Sequence, residues 1–169
     1  GEAALGAPAG ARFVLITPSV AQAGLPFDLR GLAFDWSAGP ADDPPSADTF
    51  STKTFVATAR GLAPLSPVHA RARVTAGGDI ALTWVRRTRL GGDSWAGEDA
   101  PLGEAYERYR VEIYNGAALV RTAETTAPAF IYDAAMIAAD FAGPRPPLTA
   151  RIAQLSDLVG PGGWAEVVV

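Results

Sequence analysis

With 169 residues, 18 acidic against 14 basic side chains and a formal net charge of −4, the chain shows no basic excess of the kind that binds nucleic acid. It has no cysteine, which removes disulfides, thiolate nucleophiles and cysteine metal sites together, and its one histidine, His69, is too few for a zinc site. The 18 glycines and 14 prolines are scattered rather than periodic, which favours short strands and many turns, and no apolar run approaches the ~18–20 residues of a membrane helix. The opening GEAALGAPAGARF has neither the basic nor the apolar region of a signal peptide, and the only methionine is Met136, so the sequence is expected to be a piece of a larger protein.

In chain order, ARFVLITPSV (11–20) reads as a strand stopped by Pro18. LRGLAFDW (29–36) places Leu32, Phe34 and Trp36 on one face with period two, which makes Trp36 a core candidate. SAGPADDPPSAD (37–48) is a loop by composition, and TKTFVATAR (52–60) is a third strand candidate. Residues 1–62 are therefore expected to form a small β unit. GLAPLSP (61–67) marks a boundary, after which the alternation becomes regular. VHARARV (68–74) points Val68, Ala70, Ala72 and Val74 one way and His69, Arg71 and Arg73 the other. IALTWV (80–85) aligns Ile80, Leu82 and Trp84, and YRVEIY (109–114) aligns Tyr109, Val111 and Ile113. Asn115–Gly116 is a strong hairpin signal with ALVRTAE (118–124) as its return strand. AFIY (129–132) is another short strand. DAAMIAADF (133–141) is the one helical stretch, capped by Asp133 and stopped by Gly143–Pro144. LTARIAQL (148–155) turns Leu148, Ala150 and Ile152 inward, and GPGG (160–163) reads as a turn into a last strand, WAEVVV. Some seven strands over residues 64–169 predict an all-β antiparallel sandwich preceded by the small β unit.

Two resemblances follow. Residues 64–169 resemble a fibronectin type III domain: IALTW as its second strand with the buried tryptophan, YRVEI as its third, and LTARIAQLSDLVGPGGWAEVVV as its last two. That family usually carries a tyrosine where Leu148 stands, so the resemblance implies that the DAAMIAADF helix holds the corner in another way. The longer runs GLAPLSPVHARARVTAGGDIALTWVRRTRLGGDSWAGEDAPLGEAYERYRVEI and ARFVLITPSVAQAGLPFDLRGLAFDWSAGP resemble the C-terminal region of the large baseplate hub protein of alphaproteobacterial gene transfer agents and siphophage-like tails. W-V-R-R-T-R-x-G-G-D-S-W with P-L-G-E at 101–104 is the most specific part, and the resemblance covers essentially the whole chain. It implies a structural module of a phage-tail-like particle, assembled in the bacterial cytoplasm and released. Its implied partners are other baseplate proteins or fibres, around a trimeric hub. The family's carboxylates for catalysis belong to a barrel preceding this region, so the resemblance implies no catalytic residue and no cofactor here.

GGDSW (91–95) also has the form in which one group of serine hydrolases presents its nucleophile. A serine needs a base, and here His69 precedes Ser94 by 25 residues while the only asparagine, Asn115, sits in a hairpin turn. The expectation is a loop, with Ser94 not a nucleophile and the chain not an enzyme. Asp93, Glu98, Asp99, Glu104 and Glu107 lie among Arg86, Arg87, Arg89, Arg108 and Arg110, which predicts ion pairs that order the loop rather than a calcium site or a carboxylate pair. Trp84 is expected in the core. Trp95 and Trp164, in or beside loops, together with Asp93 and Arg89, are the candidate contacts to a partner protein. The alternative is a carbohydrate-binding module, with the two indoles stacking on a cell-surface polysaccharide.

Overall fold

The computed structural model describes residues 9–11, 15–92 and 99–169, which fall into two compact units, Gly1–Thr58 and Ala59–Val169. In the first, β1 (Ala33–Ala38) and β2 (Ser51–Val56) form an antiparallel ribbon. The register sets Phe34 opposite Phe55 and Trp36 opposite Lys53 on one face; the other carries the hydrogen-bonded pairs Thr54–Asp35 at 2.6 Å and Ser37–Thr52 at 2.8 Å. Residues 15–20, expected to continue a first strand, form none, and residues 12–14 of that reading lie outside the described residues. Phe27–Leu29 is instead a single turn of 3-10 helix, so the strand expected from 29 begins only at Ala33. Trp36, expected in a core, is exposed, and no described residue of this unit is buried. Period-two alternation forms a face, but a two-stranded ribbon has no second layer with which to close it.

The second unit is the sandwich. One sheet has the order β3 (Val68–Val74), β4 (Ile80–Val85), β7 (Ala129–Tyr132). The other has β6 (Ala118–Thr125), β5 (Tyr109–Asn115), β8 (Thr149–Ser156), β9 (Gly160–Val168), and every pairing is antiparallel. The inward residues predicted by alternation form the core: Ile80, Leu82 and Trp84 meet Tyr109, Val111, Ile113, Leu148, Ala150 and Ile152. Trp84 and Tyr109 pack edge to face with ring centroids 5.1 Å apart. Alternation in β3 breaks at a bulge between Val68 and Arg71, where His69 takes a left-handed φ of 52°. No helix among the described residues is long and apolar enough to cross a membrane.

Residues 160–163, expected as a turn, are the first part of β9, and the reversal lies before Gly160. Gly162 and Gly163 serve close approach instead. The Gly163 N–H donates to the Pro64 carbonyl at 3.0 Å, and a Cβ on Gly162 would fall onto that same carbonyl. Gly162→Ala is therefore expected to cost about 1–3 kcal/mol in urea denaturation, whereas Gly116→Ala, where no atom lies within 4 Å of the new Cβ, meets only backbone strain.

The corner between β7 and β8 is held by α1 (Ala134–Asp140), which leaves Leu148, 1% exposed, free to fill the core. Asp133 caps the helix by accepting from the Met136 N–H at 2.7 Å, and Asp79 accepts from the Ala134 N–H at 2.9 Å. At the other end Asp140 accepts from the Tyr132 hydroxyl at 2.6 Å and from Arg121 at 2.6 and 2.8 Å. One carboxylate thus joins β6 of one sheet to β7 of the other.

Candidate functional site

Two regions of the sandwich gather charged and aromatic side chains: the segment between β4 and β5, and the outer face of the four-stranded sheet. In the first, Asp93, Ser94, Trp95 and Glu98 lie outside the described residues. The described flanks are ordered by the arginines. Arg86 reaches Asp99 at 3.4 Å and donates to the carbonyls of Ala100 and Pro101 at 2.5 and 3.1 Å. Arg87 donates to the Ser66 carbonyl at 2.7 Å. Arg89 pairs with Glu104 at 3.2 Å and donates to the Gly103 carbonyl at 3.3 Å, with side chains 19% and 7% exposed. Arg89 therefore stands at the base of the loop with its guanidinium turned to the loop's own return limb.

The other charges of the expected cluster are used elsewhere. Arg108 pairs with Asp157 at 3.1 Å and Arg110 with Glu124 at 3.0 Å, both on the outer sheet face. Glu107 accepts from the Tyr109 hydroxyl at 2.7 Å. Burial, and next the Glu107 carboxylate, push that hydroxyl well above its ordinary value, so it stays protonated as a donor. Among the described residues no three His, Asp or Glu side chains converge as a metal site would require. His69 is exposed on β3, and Asn115 ends β5 in the other sheet.

On the outer face the register builds a compact constellation around Arg151 of β8. Glu112 of β5 and Glu166 of β9 stand directly across from it, and Tyr114 and Trp164 lie on the diagonals. Arg151 Nε lies 2.9 Å from Glu166 Oε1 but makes no aligned hydrogen bond. Its guanidinium carbon sits 5.6 Å from the Tyr114 ring centroid and 5.2 Å from that of Trp164. The Tyr114 hydroxyl donates to Glu112 at 2.8 Å. Trp164 is thus half-buried, with a cation over its ring. The sequence signalled Trp164 but not Tyr114, Arg151 and Glu166, because only strand pairing brings these positions together. A second open concavity, about 440 Å³, lies on the three-stranded sheet beside the β3 bulge, lined by His69, Arg71, Thr83, Trp84 and Val85.

No protein-family model matches the chain. No curated protein matches it either. Among solved structures it is similar to domains d3–d4 of the rat CD45 extracellular region, at 15% identity and TM-score 0.46 over 97% of this chain and 85% of that one. It is also similar to FN3tt mut, at 15% identity and TM-score 0.43 over 63% and 94%. The FN1–FN3 domains of chicken CNTN1 give 14% identity and TM-score 0.43 over 71% and 36%. The three-stranded and four-stranded antiparallel sheets, closed over the Trp84 core, make the C-terminal unit a fibronectin type III-like β-sandwich.

Proposed function

We propose that the chain is a structural and interaction module of a phage-tail-like baseplate hub, which positions or binds other tail components and catalyses no reaction. The observation that supports this most is the segment WVRRTRLGGDSWAGEDAPLGE, which resembles such hubs in sequence. Its described flanks leave the sandwich on β4 and return to β5, tied by Arg86–Asp99 and Arg89–Glu104. Ion pairs and carbonyl contacts of this kind hold a loop's base in one geometry, which lowers the entropy lost when the loop meets a partner. Function then lies in rigid presentation of a loop and sheet edges. In this reading the module works in the tail of a released particle, in three copies around the hub axis, with baseplate proteins or fibres as partners.

The test is capture with the purified 169-residue chain against each purified tail protein of the same particle. Saturable binding of one baseplate or fibre protein, weakened at least tenfold by Trp95→Ala or by Arg89→Ala with Glu104→Ala, is the expected result. Binding to none of them by a chain with intact near-ultraviolet dichroism would overturn the reading.

A further inference from the structure

We propose that the outer face of the four-stranded sheet carries a binding groove for a neutral saccharide, centred on Arg151. The proposal is independent of the tail-hub reading. A groove of about 390 Å³ is lined by Tyr114, Gly116, Ala117, Thr149, Arg151 and Glu166. That volume lies at the small end of the range for small-molecule sites, the size of a mono- or disaccharide.

The groups converging there are those that hold a polyol. The Glu166 carboxylate accepts hydroxyl hydrogens, the Arg151 guanidinium donates, and the Tyr114 ring offers a flat apolar wall. Their positions are set before any ligand arrives. Arg151 is steadied by two rings and Glu166, and Tyr114 by its hydrogen bond to Glu112. The rim is low because the hairpin turns through Gly116, at φ 58°, and Ala117.

Charge selects among sugars. The groove lining carries one cation, Arg151, and one anion, Glu166, and Glu112 stands on the other side of Arg151. The guanidinium is thus already matched by two carboxylates, and the site disfavours uronates, sulfates and phosphates. The geometry also differs from a two-tryptophan platform. The Arg151 guanidinium lies over both the Tyr114 and the Trp164 rings, but Tyr114 lines the groove and Trp164 does not, so Tyr114 is the ring that meets the sugar.

The experiment is a titration of the ¹⁵N-labelled chain with methyl glucoside, methyl galactoside, N-acetylglucosamine, their β-linked disaccharides and glucuronate. At least one neutral sugar is expected to give saturable shifts at the amides of Gly116, Ala117 and Thr149, with glucuronate about tenfold weaker. Ala117→Trp, on an exposed turn away from the core, should block the groove and abolish the shift at Thr149, and Arg151→Gln should weaken binding about tenfold. Three results would each overturn the proposal. They are no saturable shift at these amides with any neutral sugar on the folded chain, glucuronate binding as tightly as the best neutral sugar, or undiminished binding by Ala117→Trp.

Discussion

Trp84→Ala is expected to destabilise the sandwich by about 3–5 kcal/mol, the largest loss from any single side chain of the second unit. Trp84 is 4% exposed, stands on β4 in line with Ile80 and Leu82 on the inward face, and meets the edge of Tyr109 across the two sheets. Its side chain lies almost wholly inside the core, so its truncation forfeits chiefly packing and apolar burial. The aromatic pair contributes about 0.5–1.5 kcal/mol of the loss, and the rest is transfer and cavity cost. Trp84→Phe keeps a ring against Tyr109 and should cost less than half as much. Urea denaturation followed by far-ultraviolet dichroism measures both. A loss below about 1 kcal/mol for the alanine variant would mean that β4 does not present Trp84 to this core.

The strands of the sandwich were legible in the sequence because most turn an alternating apolar face toward the core, although Val74, expected on that face of β3, is exposed. Val68–Val74, Ile80–Val85 and Ala129–Tyr132 match their expected spans. Where the sequence misled, the cause is specific. GPGG resembles a turn by composition, yet its glycines at 162 and 163 are required by the backbone of Pro64–Ser66 lying against β9, a contact between residues far apart in the chain. Gln154 continues the inward row of Leu148, Ala150 and Ile152 and is 1% exposed with neither amide atom hydrogen-bonded, which a polar letter at a strand's end does not announce. In the first unit, alternation marked a strand correctly but implied a core that a two-stranded ribbon does not form. The Arg151 groove draws on β5, β8, β9 and a turn, so its residues share nothing in sequence except the register that aligns them.

Asp140→Asn is expected to cost about 2–3 kcal/mol at neutral pH, the second large effect. The carboxylate is 13% exposed and accepts three hydrogen bonds, two from Arg121 and one from Tyr132. An amide turns one of those acceptors into a donor facing a guanidinium that is itself only 27% exposed. The loss is therefore the broken charge-assisted pair together with a cation left poorly matched in the corner. The pH dependence separates this account from simple loss of packing. Arg121 holds the Asp140 carboxyl below its ordinary value of 3.8, outweighing the opposing effect of burial. The contribution is thus complete above about pH 4 and is lost as pH falls through the lower folded value. The asparagine variant has no such titration, so the gap between wild type and variant should narrow in acid. At the alkaline end burial, and next the bond to Asp140, raise the Tyr132 hydroxyl from 10.0 to about 12, so its contribution is complete below about pH 10 and fades as pH rises to about 12. Tyr132→Phe should remove that alkaline contribution at a neutral-pH cost of about 1–2 kcal/mol. Because both variants act on one carboxylate, the double variant should lose less than the sum of the single losses. Urea denaturation across pH measures all three; a neutral-pH loss below about 1 kcal/mol for Asp140→Asn, or an acid limb unchanged by it, would show that α1 holds the corner by its apolar contacts alone.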